Sequence, residues 1–164
     1  MPLDDSIQAL AQQVKDQGNV IIGFSGKKRC GKDTAADRLV SRFYYTKAAF
    51  ADPIKEMSEL VFGFTEPQLY GDKKETVDSR WGFSPRWAMQ KIGTDLFRDN
   101  IDPDVWVKSF LVNVLQSKEL YWAVSDVRFV NEVEAIQAAG GYVIRIQRPE
   151  TTPELSYWKE RLVR

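Results

Sequence analysis

Apolar residues along this chain fall into two alternating spacings. Continuous short runs stand at VIIGFSG (20–26), YYTKAAF (44–50), YWAVSD (121–126) and YVIRIQR (142–148), and each reads as a buried strand. Between them apolar positions recur every three to four residues. Ile7, Leu10, Ala11 and Val14 share one face over 5–17, and Gly18 and Asn19 end that helix. Residues 32–43 read as a helix with Ala35, Leu39 and Val40 inward. Over 52–64 Asp52 is the expected N-cap and Pro53 the first helical residue, with Ile54, Met57, Leu60 and Val61 on the apolar face. Gly63 stops this helix. Ser84 and Pro85 open a helix reaching residue 100, and further helices are predicted over 103–117 and 130–141. Pro149 and Pro153 bound a linker to a short terminal helix.

Strands alternating with helices predict an α/β fold, a parallel sheet of four or five strands with helices on both faces. No boundary divides the chain, so residues 1–164 read as a single domain. One stretch, 65–84, has no clean period. A segment of that length without one suits a substrate-binding lid or loop.

Composition narrows the function classes. The 23 basic and 23 acidic residues cancel, which argues against a nucleic-acid coat or a membrane-surface protein. No run approaches the roughly 18 apolar residues of a membrane span, and MPLDDSIQAL lacks the pattern of a signal peptide. Cys30 is the single cysteine, so the expected setting is reducing and cytoplasmic. The chain has no histidine, which removes histidine metal sites, Ser-His triads and histidine bases together. Composition does not decide between a monomer and a homodimer.

The sharpest chemistry lies in SGKKRCGKDT, residues 25–34. Gly26, four residues, then Gly31-Lys32 is the spacing of a phosphate-cradling loop, and it lies between a strand and a helix, where it must lie to work. Loop N–H groups and the helix N-terminus can there converge on anionic oxygens, with Lys32 reaching the β- and γ-phosphates. The place normally held by a Mg²⁺-ligating Ser or Thr is Asp33, with Thr34 one position late. Asp33 serves either the metal or the helix dipole. Thr34 could bond the α-phosphate. Among Lys27, Lys28 and Arg29, Arg29 is the preferred cation for the transferring phosphoryl group, the alternative being a solvated basic turn. Cys30 reads as a small filler. Asp126, at a strand end, is a candidate for Mg²⁺ or its water, or else the cap of the next helix, and Arg128 follows at the edge where open α/β sheets bind ligands.

A second ligand has its own candidates. Arg86, Gln90, Gly93 and Thr94 fall on one helix face, combining a phosphate-binding cation, an amide able to read a base and a glycine. Lys55 could reach a second phosphate. Trp106 either stacks on a base or packs in the core.

FSGKKRCGKDT, FADPIKE, LYGDKKE, DSRWGFSPRWAMQKIGTDLFR, WVKSF and VSDVRFVNEVEAIQAAGGYVIRIQRP together resemble the bacteriophage deoxynucleoside monophosphate kinases of the P-loop kinase superfamily. The matching pieces cover most of residues 20–149 in the family's order. The GKDT loop is shared with phosphomevalonate kinase; the SPR…MQ.IGTD segment is the more specific mark. The resemblance implies a three-layer P-loop kinase fold and transfer of the ATP γ-phosphoryl group to a deoxynucleoside monophosphate. Lys32, Asp33 and Thr34 would then be ATP–Mg²⁺ residues, Lys55, Arg86, Gln90 and Thr94 would hold the monophosphate, and Asp126 and Arg128 would lie at the reaction centre. Two other readings are a kinase of another small phosphorylated metabolite and a nucleotide-binding protein without catalysis. Relatives commonly continue past Arg148-Pro149 with a histidine-containing segment, where this chain has ETTPELSYWKERLVR. Arg161 or Arg164 could substitute for it.

Overall fold

A computed structural model describes residues 3–147. The expected linker at 149–153, the terminal helix, Arg161 and Arg164 lie outside the described residues. Four parallel strands form one sheet in the order β2–β3–β1–β4, where β1 is Val20–Ser25, β2 Thr46–Ala48, β3 Tyr121–Val127 and β4 Tyr142–Arg145. The helices are α1 Asp5–Asp16, α2 Lys32–Phe43, α3 Asp52–Phe62, α4 Glu66–Leu69, α5 Pro85–Gln90, α6 Val105–Gln116 and α7 Val130–Ala138. The expected three-layer α/β class is observed.

One core lies between the sheet and α1, α6 and α7. Ile7, Ala11 and Val14 of α1 meet Leu111 and Val114 of α6, Ile136 of α7, and Ile21 and Val124 of the central strands. These side chains are essentially fully buried. A second layer, Ala36 and Leu39 of α2 with Phe24 and Ala123, covers the other face. A separate cluster of Phe64, Leu69, Ala88 and Met89 holds α3, α4 and α5 together beyond the sheet.

Several elements depart from the sequence pattern. The strand expected over 44–50 is only Thr46–Ala48, because Tyr44 takes a left-handed conformation (φ 58°) that caps α2. In α3 the N-cap is Ala51, and Asp52 is the first helical residue, its carboxylate accepting the Ala49 N–H at 2.7 Å. The apolar face assigned to α3 holds only in part, with Ile54 and Met57 half-buried. Leu60 and Val61 are exposed, while Ser58 is fully buried, its hydroxyl donating to the Ile54 carbonyl at 2.7 Å. This helix packs through Ile54 and Phe62 against the second cluster rather than onto the sheet, which turns the buried stripe. In α2 the fully buried alanine is Ala36, with Ala35, Leu39 and Val40 half-buried beside it.

The helix predicted over 84–100 does form, capped by the Ser84 hydroxyl, but past Gln90 it unwinds into a π-helix over Lys91–Arg98. The Asp99 N–H reaches back five residues to the Thr94 carbonyl. Wider winding keeps residues four apart closer in line, so Gln90, Thr94 and Arg98 all border the same space.

Segment 65–84 is ordered around one carboxylate. Asp78 is buried and accepts from Gln68 (2.8 Å) and from Arg80 through its backbone N–H (2.9 Å), Nε (3.0 Å) and Nη2 (2.7 Å). Trp81 donates to the Phe62 carbonyl, and Arg80 to that of Gly63, so the segment is tied back to the end of α3.

Candidate active site

The C-terminal ends of β1 and β3 lie side by side, with Ser25 in register with Val127. The loop leaving β1 therefore starts next to the turn leaving β3. In open parallel sheets this edge is where ligands bind.

The loop Gly26–Lys32 has the backbone that a phosphate cradle needs. Gly26 (φ 144°) sits where a Cβ would meet the Ile146 carbonyl oxygen at 2.4 Å and Cys30 Sγ at 2.7 Å, so only glycine fits. Arg29 (φ 64°) and Gly31 (φ 106°) take left-handed conformations, and Gly31 is the N-cap of α2. No side chain caps that helix, leaving its first N–H groups for another acceptor. Lys32 folds back over the loop, donating to the Gly26 and Lys27 carbonyls at 2.9 Å each. Cys30 is buried as a filler beneath it. Asp33 and Thr34 are exposed in the first turn of α2, and the Asp33 carboxylate pairs with Lys47 of β2 at 3.4 Å.

Beyond this loop lies a cavity of about 290 Å³. It gathers all six second-ligand candidates, Lys55, Arg86, Gln90, Gly93, Thr94 and Trp106, together with Asp126 and Arg128. Arg29, Lys32, Asp33 and Thr34 lie outside its walls. Phe50, Ile54, Met89 and Phe129 supply apolar surface, and Lys74, Arg98 and Glu132 add charges that the sequence pattern did not single out.

Cations dominate one part of the cavity. Burial, and then the neighbouring charges of Lys55, Arg86 and Arg128, push the Lys74 ammonium below its usual range. Four positive charges crowd here with partial compensation: Lys55 pairs with Asp52 at 3.4 Å and lies over the Tyr70 ring, and Arg86 pairs with Glu75 at 3.2 Å. Like charges held together in a partly dry cavity favour a polyvalent anion between them.

Two carboxylates hold the walls. The Asp126 oxygens accept the N–H groups of Phe50 (2.8 Å) and Ala51 (3.0 Å), tying β3 to the start of α3. Burial raises its pKa above the ordinary carboxylate range despite these bonds. Asp126 lies within β3, and the N-cap of α7 is Phe129, so the helix-cap alternative for Asp126 is excluded. Glu132 is buried and accepts the N–H groups of Arg128 (2.7 Å) and Phe129 (3.0 Å), and burial likewise raises its pKa. Trp106 is a wall rather than a free platform. It is buried, packs at a tilt against the Phe97 ring with centroids 5.0 Å apart, and donates from its indole nitrogen to the Gly93 carbonyl at 2.9 Å. Gly93 serves packing as well: a Cβ there would lie 2.8 Å from Ile54 Cδ1.

Lys74 could have been suspected from the paired lysines in GDKKE, within the aperiodic stretch. Glu132 stands three residues beyond Phe129, the place of the acid in a capping box. Arg98 had no such signal, since regular α-helical spacing turns it off the Arg86–Thr94 face.

The family model for deoxynucleotide monophosphate kinase matches this chain over residues 20–78 and 61–160. An Acanthamoeba polyphaga mimivirus protein with a provisional deoxynucleotide monophosphate kinase assignment is 39% identical, over 79% of this chain and 75% of its own. The deoxynucleotide monophosphate kinase of Enterobacteria phage T4 is 26% identical, over 79% of this chain and 81% of its own. That of Escherichia phage RB69 is 36% identical over 46% of this chain and 31% of its own.

Proposed function

The chain belongs to the deoxynucleotide monophosphate kinase family, and from that premise we propose that it transfers the γ-phosphoryl group of ATP to a deoxynucleoside 5′-monophosphate. The observation that carries this reading is a cation-rich cavity at the end of β3, the strand paired with the β1 strand that leads into the Gly26–Lys32 loop. Such a kinase needs two anion sites whose phosphates meet in line, and these two features leave the sheet from adjacent, parallel strands.

In this reading Gly26, Arg29, Gly31, Lys32 and Thr34 form the ATP-phosphate site. The Lys32 ammonium exchanges its two loop carbonyls for phosphate oxygens, and the uncapped first turn of α2 donates N–H groups. Lys55, Lys74 and Arg86 hold the acceptor's phosphate, with Gln90, Thr94 and Trp106 beside its nucleoside. Arg128, with Arg29, neutralises charge on the phosphoryl group in flight. An oxygen of the acceptor's phosphate forms the new P–O bond as the bond to the β-phosphate oxygen breaks, and ADP leaves. Segment 65–84 acts as a lid, contributing Lys74 and excluding water.

The donor set fits Mg²⁺ held largely by phosphate oxygens and water. Among the described residues no group of three or more His, Cys, Asp or Glu side chains converges. Asp33 is exposed and would exchange Lys47 for the ion's shell, and each Asp126 oxygen keeps a lone pair beyond the N–H it accepts. Bound there, Mg²⁺ would offset charge on the phosphates.

ADP release measured with each common deoxynucleoside and ribonucleoside monophosphate, and with phosphomevalonate, tests the assignment. Acceptor-dependent release with at least one deoxynucleotide is expected. Release with phosphomevalonate alone, or ATP binding without acceptor-dependent turnover, would overturn it.

A further inference from the structure

Glu132 does more than a helix cap requires. An acid three residues past the N-cap ordinarily accepts that cap's N–H from an exposed position. Here the carboxylate is only 2% exposed, and one oxygen, Oε2, takes both the Arg128 and Phe129 N–H groups. Its other oxygen lies 3.6 Å from Arg98 Nη2, and the Arg98 guanidinium rests on the Phe129 ring at 4.0 Å. Burying a carboxylate is costly unless it is paired and hydrogen-bonded, and this one is both.

The consequence is mechanical. Arg98 ends the π-helix that also carries Gly93 and Thr94, whereas Arg128 sits on the turn between β3 and α7. Glu132 touches both, one carboxylate oxygen on the Arg128 N–H and the other beside the Arg98 guanidinium. Building on the reading of Arg128 as a reaction-centre cation, we infer that Glu132 and Arg98 form a positioning clamp. It fixes the Arg128 backbone against the helix wall that borders the acceptor, so that the Arg128 side chain enters the cavity in one orientation. Glu132 is a positioning residue, since it acts through Arg128.

Two measurements on the full chain test this. Hydrogen exchange of the 127–131 segment in the free protein should quicken by about tenfold or more in Glu132→Ala, and much less in Glu132→Gln, whose amide oxygen still accepts both N–H groups. Unchanged exchange in Glu132→Ala would overturn the clamp. In the kinase assay Glu132→Ala should lower kcat by about ten- to a hundredfold, with the KM for ATP within about twofold and most of the loss restored in Glu132→Gln. In an Arg128→Ala background the same change should cost less than about twofold, because its target is gone. Losses that multiply in the double variant would overturn the inference and leave Glu132 an ordinary cap. If Glu132→Ala does not fold, Glu132→Asp takes its place in both measurements: it keeps the charge but falls one methylene short, and the same non-additivity is required of it. A wild-type chain inactive on every monophosphate would sink the kinase reading, and the exchange measurement alone would then decide the clamp.

Discussion

Seven consecutive residues, Gly26–Lys32, make the glycine-rich loop, whereas the cavity draws its cations from four separate parts of the chain: Lys55 from α3, Lys74 from segment 65–84, Arg86 and Arg98 from the helix that follows it, and Arg128 from the turn after β3. The loop needs glycines at positive φ and one lysine at a fixed separation, so its geometry is written locally. The cavity needs a helix to unwind, segment 65–84 to fold around Asp78 and two carboxylates to pin turns from different strands. A short motif can therefore announce that phosphate is bound. Only the assembled fold collects the charges of the cavity.

The contrast can be broken from either side, and the loop should break hardest. Lys32→Ala is expected to lower turnover by about 10³-fold with an unchanged circular dichroism spectrum. Activity within tenfold of the wild type would remove the loop from the mechanism. In the cavity, Lys74→Met should raise the KM for the monophosphate by about ten- to a hundredfold while leaving the KM for ATP alone. Because Lys74 stands among like charges, its removal relieves repulsion, and Tm should hold or rise. A fall in Tm together with both KM values rising would make Lys74 structural.

Legibility followed the same division. The four strands, the strand–loop–helix setting of Gly26–Lys32 and the shared face of Arg86, Gln90 and Thr94 rest on local spacing, and the structure carries each of them, with β2 and β4 shortened. The outward turn of Leu60 and Val61 was not legible, because α3 packs on a second cluster that Leu69 and the α5 residues Ala88 and Met89 build only in the folded chain. Lys74 and Arg98 escaped for related reasons. One lies in a stretch without period, and the other reaches the cavity through π-winding that local spacing does not encode. Trp106 was left between base platform and core, and its bond to the Gly93 carbonyl makes it a fixed wall.

Packing and pH sharpen the comparison at smaller amplitude. Gly93→Ala would press a methyl against Ile54 Cδ1, which can shift only partly, so a loss of about 1–3 kcal/mol and a lower Tm are expected, along with weaker monophosphate binding. An unchanged Tm would mean that Ile54 yields freely. In segment 65–84, the bonds from Arg80, then Gln68, hold the Asp78 carboxyl far below the usual carboxylate range. A depressed pKa contributes stability that is whole above the unfolded pKa and is lost as pH falls through the folded one. The Tm gap between the wild type and Asp78→Asn should therefore stay constant from pH 7 to about 4 and narrow only below. A gap already shrinking between pH 7 and 5 would contradict the arrangement. Smallest of all, Asp33→Asn should leave Tm nearly unchanged, since its exposed pair with Lys47 contributes about 0–1 kcal/mol, while raising the Mg²⁺ needed for half-maximal rate. An unchanged Mg²⁺ titration would return Asp33 to the helix dipole.

The central claim is that these two regions work on one phosphoryl group. Incubating the chain with Mg²⁺, γ-labelled ATP and each deoxynucleoside monophosphate, then separating the nucleotides, follows that group directly. The account predicts label in a deoxynucleoside diphosphate, lost with Lys32→Ala and reduced with Lys74→Met at low acceptor concentration. Label that stays in ATP, or leaves only as inorganic phosphate, with every acceptor would contradict it.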